Sequence, residues 1–172
     1  MKQVPLVSIV SARSGTGKTT FMEKLIAELV RRGYKVGAVK SDAHGFEIDK
    51  PGKDSWRFTQ AGAVATAIVG PRKFAFIQET KTKKDLDEVA GLMQDVDLIL
   101  VEGYKMAMKP RIEIVRAEKG REIISPPEYL VAVVTDIPDL TAPAPVFSFE
   151  DYPRVADLIV AKFLGTHEVL RA

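Results

Sequence analysis

Val7-Ser8-Ile9-Val10-Ser11-Ala12-Arg13-Ser14-Gly15-Thr16-Gly17-Lys18-Thr19-Thr20 is the stretch on which the reading of this chain turns. An apolar, β-branched run enters a loop of small residues, and the loop closes on Gly-Lys-Thr-Thr as a helical pattern begins. Small residues let the backbone N–H groups of Gly15, Gly17 and Lys18, joined by Ser14 and Thr16, curl around an anion, and the helix N-terminus adds partial positive charge. Lys18 then reaches the β/γ-phosphates of a nucleotide, and the Thr19 hydroxyl is placed to hold Mg²⁺. That is the layout of a phosphate-binding P-loop. The position where such loops open with Gly is Ala12 here, small enough for the same turn. Gly-Lys-Thr also arises by chance in ordinary turns, and the flanking strand and helix are what separate this loop from those. Arg13, Ser14, Gly15, Thr16, Gly17, Lys18, Thr19 and Thr20 are the candidate nucleotide-binding residues.

Outward from the loop, residues 4–10 read as a buried parallel strand. Phe21, Leu25, Ile26, Leu29 and Val30 recur at helical spacing, and Arg31-Arg32-Gly33 supplies a basic last turn and a terminal Gly. A second strand follows at about 35–40. Strand, crossover helix, strand makes a parallel pair with a right-handed connection. Ligands of such sheets bind beyond the carboxyl ends of the strands, so chemistry belongs just after each strand. Residues 41–55 are polar and broken by Gly and Pro, a mobile loop over the site. Asp54 or Ser55 can cap a short helix carrying Trp56 and Phe58. Strands are expected at about 63–69 and 74–79, then an amphipathic helix on Leu86, Val89, Ala90 and Met93, then a buried strand 97–103. Arg111-Ile112-Glu113-Ile114-Val115-Arg116 alternates like a strand with one exposed face, turning at 118–121 into a hairpin partner 122–125. Such an exposed edge would suit pairing with a second copy of the chain. A strand at 129–134, a Pro-rich connection 138–145 and a helix 152–164 close the chain. The expected fold is α/β: a three-layer P-loop NTPase with a mainly parallel sheet flanked by helices and an antiparallel hairpin extension around 111–125. Residues 1–165 read as one domain and 166–172 as a tail.

Composition narrows the function classes. The chain has 172 residues, 46% apolar and 28% charged, with a net charge of +2. That is a globular composition with no bias toward nucleic acid or acidic membranes. Cys is absent, which excludes disulfides and thiolate metal sites and is compatible with a reducing cytoplasm. No apolar run approaches the ~18 residues of a membrane span. The run 4–10 leads directly into the phosphate loop without a small-x-small cleavage site, so it is not read as a leader.

Other residues compete for chemical roles. Glu102 ends an apolar strand with Gly103 behind it, where P-loop proteins place the acid that binds Mg²⁺ or orients the attacking water. Asp42 lies just past the second strand and could hold Mg²⁺-bound water or activate a nucleophile. Lys18, Glu102 and Asp42 are thus the candidate catalytic residues, and Thr19, Glu102 and Asp42 the candidate metal ligands. Asp49, Lys53 and Asp54 read equally as turn formers or caps. His44, alone, reads as a surface residue rather than a ligand. Asp136, after the 129–134 strand, could accept both N1–H and N2–H of guanine; opening a turn before Pro138 explains it as well. Lys105, Lys109 and Arg111 could meet a phosphate-bearing molecule. Phe21, Phe74, Phe76 and Phe163 read as core. Arg13 is the one arginine near enough to act as an in-chain finger.

Several stretches together resemble the molybdopterin-guanine dinucleotide biosynthesis adapter family, protein B of that pathway. They are the phosphate loop, Lys40-Ser41-Asp42-Ala43-His44-Gly45-Phe46, Asp49-Lys50-Pro51-Gly52-Lys53-Asp54-Ser55, Ala61-Gly62-Ala63, Asp97-Leu98-Ile99-Leu100-Val101-Glu102-Gly103-Tyr104-Lys105 and Lys109-Pro110-Arg111-Ile112-Glu113-Ile114. The family's 41–44 segment is usually richer in His. The resemblance implies a dimeric P-loop GTPase that binds GTP and Mg²⁺ and hydrolyses slowly. It also implies partnership with the molybdenum cofactor guanylyltransferase that attaches GMP to molybdopterin, with molybdopterin itself a further candidate ligand. Two other readings remain open: a small-molecule kinase or ligase using ATP, and an adapter whose nucleotide only orders a partner surface.

Overall fold

The computed structural model describes residues 4–42 and 45–165; His44 and the tail 166–172 lie outside them. Two compact units are present, one built from the residues up to Ser41 and from Leu86 onward, the other Asp42–Asp85. The sequence reads as one domain because nothing in its composition marks a break at either junction.

In the first unit, β1 (Leu6–Val10) leads through the phosphate loop to α1 (Lys18–Arg31) and β2 (Val36–Lys40). The second unit holds α2 (Asp54–Gln60), β3 (Ala65–Val69) and β4 (Phe74–Gln78). The chain then resumes the first unit with α3 (Leu86–Gly91), β5 (Leu98–Glu102), β6 (Arg111–Val115), a 3-10 turn at Ala117–Lys119, β7 (Leu130–Thr135), β8 (Val146–Phe147) and α4 (Tyr152–Ile159). A π-helical turn, Val160–Leu164, continues α4. The six strands of the first unit run in the order β2-β5-β1-β6-β7-β8, and every neighbouring pair is parallel.

Strand alternation sorts the core into layers. Val7, Ile9, Leu98, Leu100, Ile112 and Ile114 face Phe21, Leu25 and Leu29 of α1 and Val155 and Ile159 of α4. Leu6, Val39, Ile99 and Val101 point the other way, onto Leu86, Val89 and Ala90 of α3. A mainly parallel sheet with helices on both faces is therefore the architecture, as expected. It carries the carboxyl ends of β1, β5, β6 and β7 to one edge of the sheet.

The antiparallel hairpin is present but displaced. It is the two-stranded ribbon β3–β4 of the second unit, with Ala65 opposite Gln78 and Val69 opposite Phe74, not residues 111–125. β6 lies in mid-sheet between β1 and β7, and all five of its residues are buried. It is no edge for a second copy. The charges that suggest an exposed face are both satisfied inside: Arg111 donates to the carbonyls of Lys105 (2.9 Å) and Ala107, and the Glu113 carboxylate accepts from the N–H groups of Ile124 (2.8 Å) and Ser125 (2.9 Å). A buried charge is tolerated when its hydrogen bonds are filled. Because those amides bond to Glu113, residues 122–125 form no strand.

In the second unit, Lys53 holds the N-cap position of α2 without a side-chain cap, in place of Asp54 or Ser55. Asp49 does the local work, accepting from the Ser55 hydroxyl (2.9 Å) and the Lys50 N–H (3.0 Å). Phe21 is core, but Phe74 and Phe76 are 75% and 57% exposed on the ribbon, against expectation.

Candidate functional site

The phosphate loop opens where β1 ends. Gly15 (φ 70°) and Gly17 (φ 87°) both occupy the left-handed region, which costs glycine little. Gly17 is the N-cap of α1, so the loop's last left-handed turn leads directly into Lys18, the first helical residue. The Lys18 ammonium folds back over the loop, donating to Ser11 Oγ (2.7 Å) and the Arg13 carbonyl (3.4 Å). Ser11 Oγ in turn donates to the Arg13 carbonyl at 2.5 Å. Burial holds the Lys18 pKa below its ordinary value; Glu102 opposes that shift, and Lys105 and Lys40 add to it.

One helical position on, Thr19 donates its hydroxyl to Glu102 Oε2 at 2.8 Å, joining residues 83 apart in sequence. β5 lies beside β1, and its last residue is Glu102, so the acid arrives at the loop by sheet register alone. Its other oxygen pairs with Lys40 at the end of β2. Burial acts to raise the Glu102 pKa, but the hydrogen bonds from Lys40 and Thr19 and the charges of Lys40 and Lys18 outweigh it, leaving the carboxyl below its ordinary value. The carboxylate therefore stays ionised. Behind it, Gly103 (φ 95°) packs so that a Cβ would come 3.1 Å from Ser41 Cβ, and glycine is required there. A hydroxyl and an ionised carboxylate in contact beside a glycine-rich turn at a helix N-terminus are a hard-oxygen donor set that fits Mg²⁺.

On the opposite side of the loop, the segments after β6, β7 and β8 converge. Arg116 donates from Nε to the Thr16 carbonyl (3.3 Å), and its guanidinium carbon lies 4.3 Å from the Phe149 ring centre. Asp136 accepts the Ala117 N–H on Oδ1 at 2.8 Å, while Oδ2 stands 3.7 Å from Arg116 Nη1. A cleft of about 320 Å³ opens beside it, lined by Asp136, Pro138, Val146, Phe147 and Ser148 among others. Phosphate loop, acid–hydroxyl pair and a cleft on the far side of the loop thus lie along the carboxyl ends of one parallel sheet.

The chain matches the family described as molybdopterin guanine dinucleotide synthesis protein B (MobB) over residues 6–136. It belongs to the MobB family. Among its relatives are the molybdopterin-guanine dinucleotide biosynthesis adapter proteins of Haemophilus influenzae (36% identical, covering 91% of this chain and 88% of that protein) and Escherichia coli (36%, covering 91% and 92%). Among solved structures it is similar to Bacillus subtilis MobB (26% identical, TM-score 0.75, covering 94% and 99%) and to a MobB homologue from Bacillus stearothermophilus (29%, TM-score 0.69, covering 92% and 97%).

The remaining expected residues of this chain fall in several places. Thr16 is buried in the loop, and Arg13, Ser14, Gly15 and Thr20 are exposed along it. Asp42 is the exposed first residue of the second unit. The basic trio after Glu102 does not form a joint phosphate site: Lys105 donates to the Ala12 carbonyl (2.9 Å), Lys109 pairs with Asp87 (2.7 Å), and Arg111 is buried against loop carbonyls. Sequence reasoning passed over Lys40, Arg116 and Phe149. The first two end or directly follow strands, where the rule for parallel sheets already points; Phe149 follows a two-residue strand too short to recognise. Among the described residues, no three His, Asp or Glu side chains cluster as a metal site, and no helix is long and apolar enough to cross a membrane.

Proposed function

We propose that this chain is an adapter of molybdopterin guanine dinucleotide biosynthesis that binds GTP with Mg²⁺ in the loop 11–20, hydrolyses it slowly, and engages the cytoplasmic guanylyltransferase that attaches GMP to molybdopterin. The observation that carries the nucleotide reading is the convergence of Lys18, Thr19 and Glu102, with Thr19 Oγ1 and Glu102 Oε2 2.8 Å apart. The names of the relatives support the pathway. Loop N–H groups and Lys18 would hold the β/γ-phosphates, and Thr19 and Glu102 would hold a Mg²⁺ whose positive charge supplies electrostatic stabilisation when bound. Asp136 keeps one oxygen outside hydrogen-bond range of its neighbours, so it can accept from the edge of a guanine in the adjoining cleft. Turnover is slow because Arg116 is turned to a loop carbonyl and Arg13 is exposed, leaving a partner to supply further positive charge.

The second unit supports a homodimer. A two-stranded ribbon is marginal by itself, and this one exposes Val69, Phe74 and Phe76 beside a groove of about 460 Å³ lined by Phe58 and several alanines. Exposed apolar area of this kind marks an interaction surface, and a second copy of the ribbon presents a matching one. The test of the nucleotide reading is binding and hydrolysis of GTP and ATP by wild type, Lys18→Ala and Glu102→Gln. GTP preference with loss on Lys18→Ala is expected, and equal binding by Lys18→Ala would remove the loop from the mechanism. Guanylyltransferase affinity measured with GTP, GDP and no nucleotide then shows whether the bound state or turnover matters.

A further inference from the structure

We propose that Arg116 is a positioning residue that aims the Gly17 N–H into the phosphate loop by holding the carbonyl of the same peptide from behind. The proposal rests on the loop being a phosphate site and goes beyond it in naming what shapes the loop. A trans peptide is planar, with its C=O and N–H pointing in opposite directions. Arg116 Nε takes the Thr16 carbonyl at 3.3 Å, so the N–H of the Thr16–Gly17 peptide is directed away from Arg116. A free loop would spend conformational entropy to reach that orientation when a phosphate arrives; here it is set in advance.

The guanidinium is itself held by three neighbours while about a third of the side chain stays exposed. Its carbon lies 4.3 Å from the Phe149 ring centre, and Phe149 meets the buried Phe21 of α1 edge-on, with ring centres 6.4 Å apart at 84°. Nη1 faces Asp136 Oδ2 at 3.7 Å. Nη2 would stand 3.3 Å from a Cβ at residue 17, so glycine there also makes room for the arginine. The same guanidinium touches the loop, the acid after β7 and the aromatic after β8, so it also ties the loop's shape to the side where Asp136 lies.

The experiment is calorimetric titration of inorganic tripolyphosphate, GTP and ATP, each with Mg²⁺, into wild type, Arg116→Met and Arg116→Lys. Tripolyphosphate has no base, so it reads the loop alone. Arg116→Met is expected to weaken all three by roughly tenfold or more, the scale of losing a charged hydrogen bond. Arg116→Lys, which keeps a donor, recovers most of the tripolyphosphate affinity, and the unliganded melting temperatures of the three proteins stay close. Tripolyphosphate binding by Arg116→Met at wild-type strength, or equal losses in the Met and Lys variants, would overturn the proposal and leave the nucleotide site standing. Wild type that binds neither tripolyphosphate nor GTP would overturn both. If Arg116→Met does not fold, the Lys variant against wild type decides, since a stable Lys variant with tenfold weaker tripolyphosphate binding contradicts the donor's role.

Discussion

Thr19 and Glu102 meet because a helix start and a strand end share one edge of the sheet, and Lys40 keeps the acid charged. Glu102→Gln retains an acceptor for Thr19 but removes the charge a divalent cation needs. The expected outcome is a roughly tenfold loss of GTP affinity in the presence of Mg²⁺ and little change without it, read by titration at both conditions. Glu28, on the far end of α1, gives a separate test through pH. The hydrogen bonds from Arg31 and Arg32 pull its pKa from 4.5 to about 2. A carboxyl depressed on folding contributes stability that is present above its unfolded pKa and is lost as pH falls through the folded one. Between pH 4.5 and about 2, wild type should therefore lose more stability than Glu28→Gln in urea titrations. Parallel losses in the two proteins would show that the Arg–Glu cluster is not the cause.

At the scale of elements, β6 shows where periodicity misleads. Alternating Arg111, Ile112, Glu113 and Ile114 has the pattern of a half-exposed strand, yet all are buried, because the two charged side chains organise the loops before and after the strand. Glu113→Ala leaves two backbone N–H groups without their acceptor and is expected to cost about 2–5 kcal/mol in chemical denaturation. A change under about 0.5 kcal/mol would mean water replaces the carboxylate, as at ordinary surface positions. The phosphate loop, α1, β1 and β5 were legible because local composition and spacing dictate them, and the Glu102 position follows from where a buried strand ends. What was not legible depends on contacts distant in sequence: the mid-sheet place of β6, the separate 42–85 unit, and the two-residue β8 whose end carries Phe149. Lys105, Lys109 and Arg111 looked like a shared basic site in sequence, and only three-dimensional partners divide them among three separate tasks.

For the whole molecule, dimerisation and nucleotide binding make separable predictions. Phe74→Glu with Phe76→Glu places charge on the exposed face of the ribbon, and sedimentation is expected to find the wild type dimeric and the double variant monomeric; two monomers, or two dimers, would remove the ribbon from assembly. Ligand that binds only the folded state raises stability by mass action, about 2.7 kcal/mol at a hundredfold excess over Kd. The most direct measurement is calorimetric titration of GTP with Mg²⁺ into wild type and Lys18→Ala, with ATP as competitor. Saturable GTP binding that resists ATP and weakens at least tenfold in Lys18→Ala is the predicted result, whereas no heat from wild type at millimolar GTP, or the same isotherm from both proteins, would contradict a triphosphate site at the end of β1.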